Sequence, residues 1–325
     1  MKAIIHTQYG SPEVLQLAEI DQPTPKDNDI LVKIYASTVN RTDCGFRSAE
    51  YFISRFFSGL FRPNNQVLGN EFAGVVEAVG KNVSMFKTGD RVFGYNDKTF
   101  GGNAEYLVVN EHSPVTTIPE NISFETAACS TEGSHYALCD LRAAKIQPGQ
   151  QYLINGTTGA IGSAAVQLAK YFGCEVTAVC DTKHMELVKS LGADHVVDYT
   201  TEDFTKLTTT FDVVFDAVGK SSFSKCKPLL KKKGIYMSTE LGPGSQNPFL
   251  AMITPWLGGK KVLFPIQFMK KEDLLFIKEL LESGKFKPVI DRSYPLEKTR
   301  EAHYYVETGQ KIGNVVITVR SDSTN

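Results

Sequence analysis

The stretch INGTTGAIGSAAVQLAK, Ile154 to Lys170, places glycines at 156, 159 and 162 in a run that otherwise reads as strand, turn and helix. Glycine suits neither flanking element, so bare backbone must be needed at the turn. Ile161, Ala165, Leu168, Ala169 and Phe172 fall on one helical face, which predicts a helix starting near Ala160. The free N–H groups and positive end of that helix lie at the turn and suit a phosphate. Gly156 permits the tight turn, Gly159 the close approach of a pyrophosphate, and Gly162 close packing of helix on strand. Thr158, Ala160 and Ile161 share the turn and join it as cofactor-binding candidates. The G-x-x-G-x-x-G spacing is one residue longer than the usual dinucleotide fingerprint, so the reading rests on its surroundings.

Those surroundings support it. From about Gln151 short apolar runs alternate with helical ones: QYLI, AIGSAAVQLAKYF, EVTAVC, HMELVKSLG, HVVDY, FDVVFDAVG, FSKCKPLL, GIYMST and KVLFPI. Such alternation predicts right-handed crossovers and a doubly wound parallel sheet. From Met1 to about Ile122 the runs are shorter and alternate with period two, as in KAIIHTQ, ILVKIYAS and AEYLVV, which predicts a mostly antiparallel β domain. A helix over 270–284 and a last strand, NVVITV, complete the chain. The expected division is 1–122 as β domain, 123–268 as cofactor domain, and 269–325 as a return to the first.

Composition excludes several classes. The 35 basic and 36 acidic residues nearly cancel, which argues against a nucleic-acid surface. No apolar run approaches the ~18 residues of a membrane span. The start, MKAIIHTQYG, reads as a short strand rather than a signal peptide, so a cytoplasmic setting is expected. Six cysteines stand singly without a C-x-x-C pair, as reduced thiols would. No G-x-S-x-G elbow is present, and the histidines are isolated along the chain.

NGTTGAIGSAAVQLAK, ELVKSLGADHVVDY, FDVVFDAVG and GDRVFGY with AEYLVV together resemble the medium-chain dehydrogenase/reductase superfamily, in its zinc-independent quinone oxidoreductase, zeta-crystallin-like branch. The resemblance runs the length of the chain. It implies a GroES-like domain joined to a Rossmann domain, with the site in the cleft between them; a homodimer is expected as well. It also implies that Thr131, Ser238, Thr239, Phe264, Ile266 and Asn314 surround the nicotinamide and its ribose, with Ala217 at a neighbouring strand end and Tyr199 toward the adenosine phosphate. Asn40 faces the nicotinamide in the same comparison, as a residue that orients a substrate carbonyl or as a loop amide that satisfies backbone.

The zinc alcohol dehydrogenases of that superfamily mark a departure. Their first cysteine ligand corresponds to Asn40 in NRTD, their G-H-E motif to Gly69-Asn70-Glu71, and their third ligand falls near Ala128. Two amides and a methyl do not replace thiolate and imidazole, so no zinc is expected. Without a Lewis acid, the easier hydride acceptors are quinones and carbonyl-conjugated alkenes, which spread the new charge into a phenolate or enolate. The expected activity is NAD(P)H-dependent reduction of such acceptors; the alternative is a cofactor-binding structural or regulatory protein with negligible turnover.

Two further readings stay open in the sequence. Cys180 ends EVTAVC, and Asp181 lies about twenty residues past the glycine turn, where a carboxylate accepts the ribose hydroxyls of NADH. Lys183 and His184 would instead pair with a 2′-phosphate, and the resemblance favours NADPH over NADH. In EYFISRFFSGLFRP, Glu50 to Pro63, aromatics cluster, and Phe52, Phe56 and Phe57 recur near helical spacing. They form buried core, a membrane contact, or an aromatic lid that favours flat apolar substrates.

Overall fold

The computed structural model describes residues 1–50 and 55–320, the Phe57 side chain excepted. The chain folds as two compact units, one of Met1–Thr131 with Met269–Asn325 and one of Glu132–Phe268.

The first unit opens with β1 (Lys2–Ile5), β2 (Gln16–Glu19) and β3 (Asp29–Val39), then helices α1 (Arg41–Ser48) and α2 (Arg55–Ser58). It continues with β4 (Glu71–Val79), β5 (Arg91–Tyr95), β6 (Tyr106–Asn110), β7 (Val115–Thr117) and helix α3 (Phe124–Ala128). The second unit follows with α4 (Glu132–Ala143), β8 (Gln151–Asn155), α5 (Ala160–Tyr171), β9 (Glu175–Cys180), α6 (Met185–Ser190), β10 (His195–Asp198) and β11 (Phe211–Asp216). It closes with α7 (Phe223–Cys226), β12 (Leu230–Ser238), α8 (Gln246–Ile253) and β13 (Lys261–Leu263). The chain then returns to the first unit as α9 (Lys271–Glu282), β14 (Ile290–Pro295), α10 (Thr299–Glu307) and β15 (Asn314–Thr318).

In the first unit the strands run β14-β15-β3-β4-β5-β7, with β6 added to β3. Every pair is antiparallel except β14 with β15. The period-two pattern of ILVKI and EFAGVV turns Ile30, Val32, Ile34, Phe72 and Val76 into one core with Val92 and Val109. The C-terminal strand pairs Val315 with Val39 and Ile317 with Ser37, which closes the chain back onto β3. Residues 123–131 also belong here, since α3 lies against β3 and β4.

The second unit is a six-stranded parallel sheet in the order β10-β9-β8-β11-β12-β13. Counted from β8 this is 3-2-1-4-5-6, the doubly wound order whose direction of winding switches beside β8. Strands β8, β9 and β11 are buried almost throughout, as strands covered on both faces must be. Leu153, Val179, Val214, Tyr236 and Val262 carry that core across the sheet.

Candidate active site

The glycine turn occupies the space between β8 and α5. Gly156 has φ +83°, a left-handed conformation that favours glycine. A Cβ on Gly162 would stand 2.2 Å from the Gly156 carbonyl oxygen, so helix and turn touch through bare backbone. At Gly159 the nearest atom to an added Cβ is that same oxygen at 3.7 Å, which leaves this side open for a ligand. Gly159 is also the N-cap of α5, and no side chain caps the helix. The first N–H groups of a twelve-residue helix thus meet an open face, as a pyrophosphate requires. Gly162→Ala should therefore lower stability by about 1–3 kcal/mol through overpacking. Gly159→Ala should leave the melting temperature unchanged and weaken dinucleotide binding. Thermal unfolding with fluorescence titration measures both; equal loss of stability in the two variants would refute the division of roles.

The parallel register brings the carboxyl ends of the strands level. Asp216 pairs with Asn155 and with Ser238, and Asp198 with Cys180. The predicted residues Cys180, Asp181, Tyr199, Ala217, Ser238, Thr239 and Phe264 therefore share one edge of the sheet, where open α/β folds take their ligands. Asp216 fixes that edge by accepting from Asn155 Nδ2 at 2.9 Å and from the Ser221 N–H at 2.7 Å. Ala217 N donates to Asn155 O, Thr239 N to Asp216 O and Tyr199 N to Cys180 O. Ile266 lies beyond β13 and is 74% exposed, so it is no core residue.

At the end of β9 the Asp181 carboxylate accepts from the His184 N–H at 3.2 Å and lies 2.5 Å from His184 Nδ1. It caps the short turn that follows instead of pointing out unpaired. Asp198 is likewise engaged, by Thr182 Oγ1 and by the N–H and hydroxyl of Thr200. Lys183 is exposed and, among the described residues, makes no hydrogen bond or ion pair.

The first unit holds a buried polar cluster around Glu71, a residue the sequence reading names within the G-H-E comparison but not as a site residue. Its carboxylate accepts from Asn40 Nδ2 at 2.6 Å, from the Thr38 hydroxyl at 2.6 Å and from the Thr131 hydroxyl at 2.7 Å. Asn40 stands at the N-cap of α1, and its amide nitrogen donates to Glu71. The cap is completed from the other side, with Asp43 accepting from Asn40 N at 2.9 Å and from Gly69 N at 3.0 Å. Burial pushes the Asp43 carboxyl up to about 7; the Asn40 and Gly69 N–H groups oppose this and the Glu71 charge adds to it. Lys311 Nζ reaches Asn40 Oδ1 at 3.4 Å and donates to Gly313 O at 2.6 Å. Asn314 opens β15, buried, with Nδ2 donating to Val289 O and Oδ1 left without a partner. An orphaned buried acceptor of this kind suits an amide N–H of a ligand. The structure thus brings Asn40 and Thr131 together, with Asn314 in the same unit.

The positions equivalent to zinc ligands keep their amides engaged. Asn40 serves Glu71, Asn70 Nδ2 donates to the Tyr95 hydroxyl at 3.3 Å, and Ala128 offers only a buried methyl. This donor set does not fit zinc. Among the described residues no group of three His, Cys, Asp or Glu is placed to hold a metal ion. The six cysteines are free thiols, five of them buried. Of the aromatic cluster, Phe52 and the Phe57 side chain lie outside the described residues. Phe56 is 68% exposed on α2, so at this position the cluster is not core. The short helix is anchored by the Tyr9 hydroxyl, which bonds Ser58 Oγ and Gly59 O, and by Arg55 over the Tyr9 ring.

Comparison with known proteins places this arrangement. Residues 26–120 match the alcohol dehydrogenase GroES-like domain, and residues 191–317 the zinc-binding dehydrogenase family. The chain is 36% identical to the 2-methylene-furan-3-one reductase of Solanum lycopersicum, over 98% of its own length and 79% of that protein's. It belongs to the medium-chain dehydrogenase/reductase superfamily, in the zeta-crystallin-like quinone oxidoreductase branch. Within that superfamily it is 32% identical to the chloroplastic NADPH-dependent alkenal/one oxidoreductase of Arabidopsis thaliana, with 98% and 79% of the two chains covered. The quinone oxidoreductase of Coxiella burnetii superposes with a TM-score of 0.88 at 28% identity, covering 98% of this chain and 99% of that one. Among the described residues no helix is long and apolar enough to cross a membrane.

Proposed function

We propose that this protein is an NADPH-dependent reductase that moves hydride to quinones or α,β-unsaturated carbonyls without a metal. The observation that carries the reading is the open, uncapped start of α5 behind three glycines, at the carboxyl edge of a 3-2-1-4-5-6 sheet. Gly156, Thr158, Gly159, Ala160, Ile161 and Gly162 would hold the pyrophosphate. The strand ends from Cys180 to Ile266 would hold the remainder of the cofactor. When bound, the reduced nicotinamide supplies the hydride. The amide and methyl at the former ligand positions favour acceptors that need no Lewis acid, and the named relatives reduce furanones, alkenals and enones. The exposed Phe56 adds apolar surface suited to flat, bulky acceptors.

The choice of NADPH rests on charge. With Asp181 bound to His184 and Lys183 unpaired among the described residues, a 2′-phosphate meets a cation and a carboxylate already occupied. NADPH should bind more tightly than NADH, and Asp181→Ser should widen the gap. Fluorescence titration of both cofactors decides; NADH preference in the wild type, reversed by the substitution, would overturn the assignment. Stopped-flow oxidation of NADPH against a panel of quinones and enones tests the activity itself, and no turnover across the panel would defeat the reading. A cytoplasmic homodimer belongs to the same proposal. Phe249, Met252, Trp256 and Leu257 are exposed on and just after α8, an apolar patch of the kind a partner covers. Light scattering measures the assembly.

A further inference from the structure

Resting on that reading, we propose that Lys311, not Asn40, supplies the charge for the acceptor's oxygen: its ammonium group, held beside the Asn40 amide, forms a site for a phenolate or enolate.

The argument begins with the Asn40 side chain. A substrate carbonyl needs a donor, and Asn40 has its side-chain donor group, Nδ2, turned to Glu71 Oε2 at 2.6 Å and toward Thr38 Oγ1 at 3.4 Å. What Asn40 presents on its other side is Oδ1, an acceptor, and an acceptor repels a developing oxyanion. Lys311 Nζ stands against that atom at 3.4 Å. The contact is long for a hydrogen bond, whereas the bond to Gly313 O, at 2.6 Å, anchors the ammonium. Glu71 and Lys311 act on the same ground: the buried Cys129 thiol, raised first by burial, is raised further by Glu71 and lowered by Lys311. Lys311 is therefore a cation held at the edge of a buried carboxylate cluster, where fixed charge acts more strongly than in water. Asn40 and Glu71 are positioning residues in this scheme. Glu71 fixes the flip of the amide, and the amide oxygen holds the ammonium.

The electron count is simple. Hydride adds to the β-carbon of an enone, the displaced π pair shifts to the carbonyl oxygen, and the resulting enolate accepts a hydrogen bond from the Lys311 ammonium. Solvent then protonates the α-carbon, the C=O re-forms, and Lys311 keeps its protons. For a quinone the hydride goes to one carbonyl oxygen, the π pairs shift through the ring to leave the other oxygen as a phenolate, and solvent protonates that oxygen to give the hydroquinone. Stabilising charge that develops only during transfer raises kcat rather than lowering KM.

The direct test needs no cofactor. The full-length protein is titrated with 4-nitrophenol, whose phenolate band reports its ionisation. Wild type should raise the phenolate fraction on binding. Lys311→Met should bind the phenolate about tenfold or more weakly, as loss of a charged hydrogen bond implies, with Lys311→Arg close to wild type. In turnover, Lys311→Met should lower kcat with KM for NADPH unchanged. Should Lys311→Met fail to fold, Lys311→Gln carries the comparison. Equal phenolate affinity in wild type and variant, or no change in the band with wild type, overturns the proposal. A protein that binds phenolate through Lys311 but reduces no quinone or enone defeats the functional reading and leaves this site standing.

Discussion

Replacing Glu71 by alanine should destabilise the protein by about 3–5 kcal/mol, because three buried donors lose their shared acceptor. Thr38, Asn40 and Thr131 approach this carboxylate from β3, from the cap of α1 and from the end of the first segment of the unit. Among the described residues no other carboxylate is bonded to all three. The change also frees the Asn40 amide to turn, so its Oδ1 no longer holds Lys311. Glu71→Gln keeps one carbonyl acceptor and should fall between wild type and alanine. Urea unfolding at neutral pH measures the effect. A loss under about 1 kcal/mol, the size of one ordinary hydrogen bond, would show that Glu71 does not organise the cluster.

Asp140→Asn should stabilise the protein by about 2–4 kcal/mol at pH 8 and have little effect near pH 4. Asp140 is fully buried on α4, with Gln267 Nε2 donating to Oδ2 at 3.1 Å and Oδ1 without a partner. Burial pushes its carboxyl up to about 8, and the single bond from Gln267 opposes this only in part. The sign follows from proton counting. Between the unfolded value near ~4 and about 8, the folded chain holds a proton that the unfolded chain has released, so stability falls as pH rises. Below that window both forms are protonated and the term vanishes. Asparagine keeps the shape and an acceptor for Gln267 but never ionises. Asp43, raised to about 7, acts in the same direction and leaves the variant a residual slope. Parallel pH–stability curves for wild type and Asp140→Asn would show that burial does not shift this group.

The α/β architecture was legible because its determinants are local. Period-two and helical patterns repeat over ten or fewer residues, and the glycines at 156, 159 and 162 report a backbone requirement that any side chain would violate. The carboxyl-end candidates came from the family resemblance, and the strand pattern added only that Ala217, Ser238 and Ile266 fall at strand ends. The orientation of groups was not legible. Asp181 and Lys183 read as equal and opposed until the carboxylate was seen bonded to His184. Lys311 carries no local mark at all: a lone lysine in a loop before the last strand, placed beside Asn40 only because β15 pairs with β3.

By itself, then, the sequence determined the strand and helix alternation, the doubly wound sheet and the glycine turn. Tertiary structure alone decided that residues 123–131 join the β unit, that Asn40 gives its amide nitrogen to Glu71, and that Lys311 stands at its oxygen. The physical reason is range: backbone geometry is written within a few neighbours, whereas a buried polar group takes its direction from partners 31 and 271 residues away.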